Sequence, residues 1–182
     1  MKAFAYVVGP RRGPAAAISD LATRMRFQSV IPYEGVRQLE RQIDPPLAFV
    51  LFAETPDVND FASAAQAIRF SSERRVRFSP LIYLCHGPSL ETMRRLIDMG
   101  FDDVIIGPFA VTSVTARLKR QLDTPLTYYE TSSYFGPDRR GRLAPDAGHE
   151  RRGEGGSFRR LEIIRRVSTG ISVVEDEDQV MI

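Results

Sequence analysis

The chain is poor in the residues from which most reaction centres are built. It has one cysteine, Cys85, and two histidines, His86 and His149. A single cysteine excludes an internal disulfide framework and suits a reducing cytosol. No Cys/His ligand set, carboxylate pair or Gly-rich phosphate loop can be read along the chain, which argues against an ordinary enzyme. A large charge of either sign is also missing: 25 basic and 23 acidic side chains leave a formal +2. Such a balance provides no whole-molecule field to attract nucleic acid or a membrane. The first apolar run, Ala3 to Val8, is cut short by Gly9-Pro10-Arg11-Arg12. It is too short for a signal-peptide core or a membrane span. The expectation is a soluble, cytoplasmic protein with no membrane and no cofactor.

What is present is an alternation. The 182 residues, 43% of them hydrophobic, allow one ordinary domain plus an extension. Ala3-Phe-Ala-Tyr-Val-Val8 is a continuous apolar run ended by Gly9 and Pro10, as a strand buried on both faces requires. Ala15 to Arg26 carries Ile18, Leu21, Ala22 and Met25 on one helical stripe. Phe27 to Tyr33 reads as a second strand, with Pro32 suiting an edge. A short helix over Gly35 to Ile43 is closed by Pro45-Pro46. Leu47 to Ala53 is the most hydrophobic stretch and predicts a central strand. A helix over Phe61 to Phe70, capped by Asn59 or Asp60, follows a turn-rich loop. Arg74, Arg75 and Arg77 form a basic connector to a strand over Pro80 to Cys85. Ser89 is the expected cap of a helix that Gly100 stops, Asp103 to Gly107 is a last strand, and Val111 to Leu122 a last helix. Five strand–helix alternations predict a parallel sheet with helices on both faces and a site at the carboxyl ends of its strands.

Pro80-Leu-Ile-Tyr-Leu84, Met99-Gly-Phe-Asp-Asp103, Gly107-Pro-Phe109 and Pro56-Asp57 occur in an order that resembles the receiver domain of bacterial two-component response regulators. The resemblance covers Lys2 to Leu122. It implies a flavodoxin-like (βα)5 doubly wound parallel sheet over residues 1–124 and a place in phosphorelay signalling. It also implies that phosphoryl transfer to an aspartate, assisted by Mg²⁺ on an acidic pair, would be the chemistry. This chain departs at every such position. Gly9-Pro10-Arg11-Arg12 stands for the acidic pair, and Phe52, or Ala53 with a slip of one, stands for the nucleophile. Cys85 takes the place of the hydroxyl residue and Gly107 that of the lysine. The expectation is a pseudo-receiver with no catalytic residue and no metal. Glu54 could mimic a fixed negative charge, and Arg11-Arg12 could hold an anion; plain solvent exposure is the alternative for both. The Gly107-Pro108 corner could contain a cis peptide.

Beyond Pro125 the composition shifts to Gly, Pro, Ser and Arg, which predicts an extended linker over 125–157. Within it, Tyr134-Phe-Gly-Pro-Asp-Arg-Arg-Gly-Arg142 resembles an element that follows receiver-like domains in some bacterial proteins. A docking peptide built on Tyr134, Phe135, Asp138, Arg139 and Arg140, or a basic disordered linker, are its two readings. Residues 158–182 regain apolar side chains, with Ser168-Thr169-Gly170 as a candidate turn and an acidic close over Glu175 to Asp178. A hairpin or a partner-ordered segment are the alternatives there. The resulting expectation is a non-enzymatic signalling module that meets a protein partner, or a second copy of itself, through its fourth helix, fifth strand and fifth helix. Arg94, Arg95, Phe101, Phe109 and Val111 would lie on that face. The alternative, a nucleic-acid-associated regulator, would use Arg139-Arg140, Arg151-Arg152, Arg159-Arg160 and Arg165-Arg166. Interspersed acids and the lack of a helix-turn-helix pattern weigh against it.

Overall fold

A computed structural model describes residues 1–44, 46–138 and 157–179. The apolar runs become β1 (Phe4–Val8), β2 (Ser29–Pro32), β3 (Ala48–Ala53), β4 (Leu81–Cys85) and β5 (Asp103–Ile106). All neighbouring pairs are parallel, in the order β2-β1-β3-β4-β5. This is the flavodoxin-like order of a doubly wound sheet. Pro32 ends the edge strand β2, where its missing N–H breaks no ladder.

The helices are α1 (Pro14–Arg24), α2 (Val36–Arg41), α3 (Ala62–Arg69), α4 (Arg74–Arg77), α5 (Leu90–Asp98) and α6 (Val111–Lys119). Local chemistry sets their ends. Pro14 opens α1 at a position where no backbone donor is needed. Ser89 Oγ accepts the Thr92 N–H at 3.0 Å, and Gly100, at φ 79°, stops α5. The cap expected at Asn59 or Asp60 is Asp57, whose carboxylate accepts the Asn59 N–H at 2.9 Å and starts a single 3₁₀ turn over Val58–Phe61. The basic connector winds into the one-turn α4 because Val76 is drawn inside.

Alternate strand residues fill two cores. Ala5, Val7, Phe49, Leu51, Ile82 and Leu84 meet α1 and α6 on one side. Tyr6, Val50, Phe52, Leu81 and Tyr83 meet the helices between β2 and β5 on the other. Burial on both faces is why these strands read as unbroken apolar runs.

The chain beyond residue 124 departs from the expected linker. β6 (Pro125–Glu130), β7 (Phe135–Pro137), β8 (Phe158–Arg166) and β9 (Gly170–Gln179) form an antiparallel sheet, ordered β7-β6-β8-β9. β8 and β9 make the hairpin that was one of the two readings, with Val167, Ser168 and Thr169 in its turn. Only one face of this sheet is buried. Tyr128, Phe135, Leu161 and Ile163 close on Phe78 in a third small core, while most of the charged residues, Arg165 excepted, remain outside, so its composition resembles a linker. The sheet lies across the amino ends of the parallel strands. Gly170 abuts Pro46 before β3, Arg165 reaches Phe78 before β4, and Gly136 touches Gly100 before β5. Among the described residues, no helix is long and apolar enough to cross a membrane.

Candidate functional site

In a doubly wound sheet, ligands meet the carboxyl ends of the strands. Here that rim is formed by small and apolar groups. Gly9 follows β1 at φ 141°, and a Cβ there would come within 3.2 Å of Ala15 and 3.3 Å of Ala53. Phe52 turns away from the rim into the core, with ring centroids 5.2 Å from Phe61 and 4.7 Å from Phe101. β3 ends one residue later in Ala53, which like Phe52 is fully buried. Cys85 ends β4 and is also buried. Burial first, and then the nearby Glu54 charge, push its thiol up to about 11, so it stays protonated near neutral pH. Gly107 donates its N–H to the Cys85 carbonyl at 2.8 Å and precedes the cis bond to Pro108.

One polar assembly spans this rim. Glu54, just beyond β3, accepts from the His86 backbone N–H at 3.3 Å and lies 3.0 Å from His86 Nδ1. The His86 ring packs edge-on to Phe109 with centroids 5.0 Å apart. A Cβ on Gly107 would lie 3.0 Å from that ring, so the residue in the lysine position makes room for the histidine. Arg11 reaches sideways to Glu34 at 2.9 Å. Among the described residues, no three metal-ligating side chains cluster. A cavity of about 560 Å³, lined by Lys2, Lys119, Leu122 and Val167 among others, opens at the opposite end.

The predicted interaction residues separate into several groups. Arg94 is exposed. Arg95 is exposed too, held by Glu91 at 2.7 Å and by Asn59 Oδ1 at 2.7 Å. Phe109 and Val111 are half-buried. Phe101 is not a surface residue: it is 1% exposed, between Phe52 and Tyr83. The aromatic residue after the α5 stop is taken up by the core. Two neighbours that patterning missed stand out instead, Leu90 at 79% exposure and Ile106 at 51%. Both continue the apolar spacing of their elements, so nothing in the sequence marked them as surface residues.

The docking-peptide reading is corrected for Phe135, which is 1% exposed. It packs on Phe78 at 5.1 Å and lies under the Arg77 guanidinium at 3.9 Å. Tyr134 turns back to donate its hydroxyl to the Pro137 carbonyl at 3.1 Å, and the Asp138 N–H donates to the Thr127 carbonyl. These groups fasten the chain to itself. Arg139 and Arg140 lie outside the described residues.

The densest polar cluster lies at the other end of the strands. Asp102, between α5 and β5, is buried with Arg69 from α3, Arg165 from β8 and Tyr128 from β6. Arg69 Nη2 lies 2.7 Å from Asp102 Oδ2 and Arg165 Nη2 lies 2.8 Å from Oδ1. The Leu81 N–H also donates to Oδ2, at 2.8 Å, and the Tyr128 hydroxyl donates to Oδ1. Burial acting alone would raise the Asp102 carboxyl. The Arg165 and Arg69 charges and the Tyr128 hydroxyl outweigh it and bring the pKa down to about 2. In the sequence, Asp102 stands out only as part of Met99-Gly-Phe-Asp-Asp103 and Arg165 only as part of a basic pair, and nothing there joins them to each other or to Arg69 and Tyr128. An arginine following Leu161-Glu-Ile-Ile164 in strand register was the available signal.

The same contacts remove support from the nucleic-acid alternative. Arg165 is fully buried. Arg159 pairs with Asp176 at 2.6 Å and Arg160 with Glu175 at 2.9 Å, so the acidic close of the chain neutralises its own basic neighbours across the hairpin.

A scan against protein-family models finds no match, and a search of curated proteins finds none either. Among solved structures, the chain is similar to the receiver domain of a sensor histidine kinase from Pseudomonas aeruginosa, which has magnesium coordinated in its active-site cleft. The identity is 22% and the TM-score 0.47, over 64% of this chain and 94% of that one. It is also similar to a two-component response regulator from Clostridium difficile, at 14% identity and TM-score 0.46, over 66% and 94% of the two chains. A response regulator in red light signaling of R. palustris follows at 12% identity and TM-score 0.42, over 64% and 89%. No residue role is carried over from any of them. The fold assignment rests on the strand order and connections described above.

Proposed function

We propose that the chain is a signalling module of the response-regulator type that works by protein–protein contact, without aspartyl phosphorylation. The observation that carries this reading is the make-up of the rim. A phosphoryl-accepting site needs a carboxylate nucleophile and a cation held by further oxygens. The corresponding positions hold Phe52 or Ala53, both buried, a protonated Cys85, Gly107, and a β1–α1 loop of Gly9-Pro10-Arg11-Arg12. A phenyl ring, a methyl group or a buried protonated thiol cannot play those parts, whatever is bound. Glu54 is engaged with His86 rather than directed to an open site.

Shape and surface are then left to do the signalling. The face formed by α5, β5 and α6 supports this, because Leu90 and Ile106 are exposed there beside Arg94. Buried apolar anchors next to an arginine are the composition of protein-binding hot spots. The partner would be another signalling protein of a phosphorelay-linked pathway in the cytoplasm.

Two measurements test the reading. The chain is incubated with a small-molecule phosphodonor and Mg²⁺, and its mass is followed. No stable adduct on an aspartate is expected, and one at any aspartate of residues 1–124 would refute the reading. Partner capture is compared between the intact chain and a Leu90→Asp/Ile106→Asp variant, with loss of capture expected and unchanged capture counting against the face.

A further inference from the structure

We propose that the four-stranded antiparallel sheet is a clamp on the α5–β5 turn, and that it holds the α5–β5–α6 face in a single conformation. The two oxygens of Asp102 are divided between two bodies. Oδ2 serves the parallel-sheet domain, through Arg69 at 2.7 Å and the Leu81 N–H at 2.8 Å. Oδ1 serves the antiparallel sheet, through Arg165 at 2.8 Å and the Tyr128 hydroxyl. One carboxylate, at the point where α5 turns into β5, therefore joins the two.

The backbone repeats the connection. Arg69 grips the Gly100 carbonyl with Nε at 2.9 Å and Nη2 at 2.7 Å. On the opposite side, a Cβ on Gly100 would lie 2.4 Å from the Phe135 carbonyl, and one on Gly136 would lie 2.7 Å from Gly100 Cα. The turn is thus held between an arginine of the body and a strand of the added sheet, with no space for a side chain.

The turn leads into one edge of the parallel sheet. β5 is an edge strand with β4 as its sheet neighbour, and it is four residues long. β1 and β3 have strands on both sides. If the antiparallel sheet leaves, Asp102 keeps its Oδ2 partners, so the body stays paired, while the α5–β5 turn loses half of its grip. Docked and undocked sheets are then two discrete arrangements of the same chain, as a conformational coupling requires. The clamp concerns the state of the face and not the identity of its partner, so its test needs no partner.

Hydrogen exchange of the full chain reads it directly. Arg165→Met removes one sheet-side bond to Oδ1 and leaves the Arg69–Asp102 pair intact. Exchange of peptides spanning 90–106 is expected to rise about tenfold, the scale set by losing one buried charged hydrogen bond. Peptides of β1 and β3 are expected to hold their wild-type rates. Tyr128→Phe removes the other sheet-side bond at nearly constant shape. It should produce the same pattern to a smaller extent, and it carries the test alone if Arg165→Met does not fold. A rise confined to β6–β9 would overturn the clamp, because the sheet would then loosen without the turn. A uniform rise over all strands would overturn it as well, because that marks loss of global stability.

Discussion

Replacing Asp102 by alanine should cost more stability than any other single loss of charge in the described residues. The side chain is buried against two guanidiniums, so its removal leaves two cations inside and no anion. Breaking a buried ion pair from one side costs about 3–5 kcal/mol. The upper part of that range applies less here, because each arginine keeps neutral acceptors: Gly100, Arg77 and Ser79 carbonyls for Arg69, and the Phe78 carbonyl and Gln121 for Arg165. About 3 kcal/mol is therefore expected, a drop of roughly 6–12 °C in Tm for a chain of this size. The carboxyl is lowered from 3.8 to about 2, so its stabilising contribution is fully present above pH 4 and is lost as pH falls towards 2. That shift corresponds to about 2 kcal/mol. Urea melts followed by far-UV circular dichroism at pH 7, 4 and 2 should show the gap between wild type and Asp102→Ala narrowing at the lowest pH. A gap under about 1 kcal/mol at pH 7, or one that does not change with pH, would refute the assignment of the cluster as a charged anchor.

The other expectations can be checked with simpler assays. Gly100→Ala should destabilise by more than about 2 kcal/mol, since it adds a Cβ at φ 79° and 2.4 Å from the Phe135 carbonyl; an unchanged urea midpoint would show that β7 yields easily. Cys85 should resist iodoacetamide in the folded protein at pH 8, and modification should track unfolding by urea; rapid labelling would mean the thiol is neither buried nor protonated. Leu90→Asp and Ile106→Asp, both at exposed positions, should leave Tm within about 2 °C of wild type while reducing partner capture, and a large loss of Tm would reassign these residues to packing. Arg159→Ser should cost under about 1 kcal/mol, and less at high salt, because its partners are at the surface.

Much of the parallel-sheet domain was legible because its strands are buried on both faces. Leu47 to Ala53 and Pro80 to Cys85 carry their burial in composition alone, and Ser89 and Gly100 mark helix ends by chemistry that acts within a turn. The make-up of the rim was legible for the same reason, since it depends on which residues follow which strand. The second sheet was not legible. Pro125 to Glu130 and Phe135 to Pro137 are covered on one face by residues far along the chain, and nothing local distinguishes Tyr128 inside from Tyr129 outside. Phe101 and Phe135 read as aromatic surface anchors until tertiary packing enclosed them.

The order of the residues by itself settled that five short strands alternate with helices, that Gly9-Pro10-Arg11-Arg12 follows the first, and that the third ends in Phe52-Ala53 rather than in a carboxylate. All three follow from side-chain chemistry and short-range geometry. That Asp102, Arg69, Tyr128 and Arg165 meet was decided only by tertiary structure. They are separated by 26 to 63 residues from Asp102 on one side and 33 on the other, and a charge finds its counter-charge across such spans only once the sheets have brought them together.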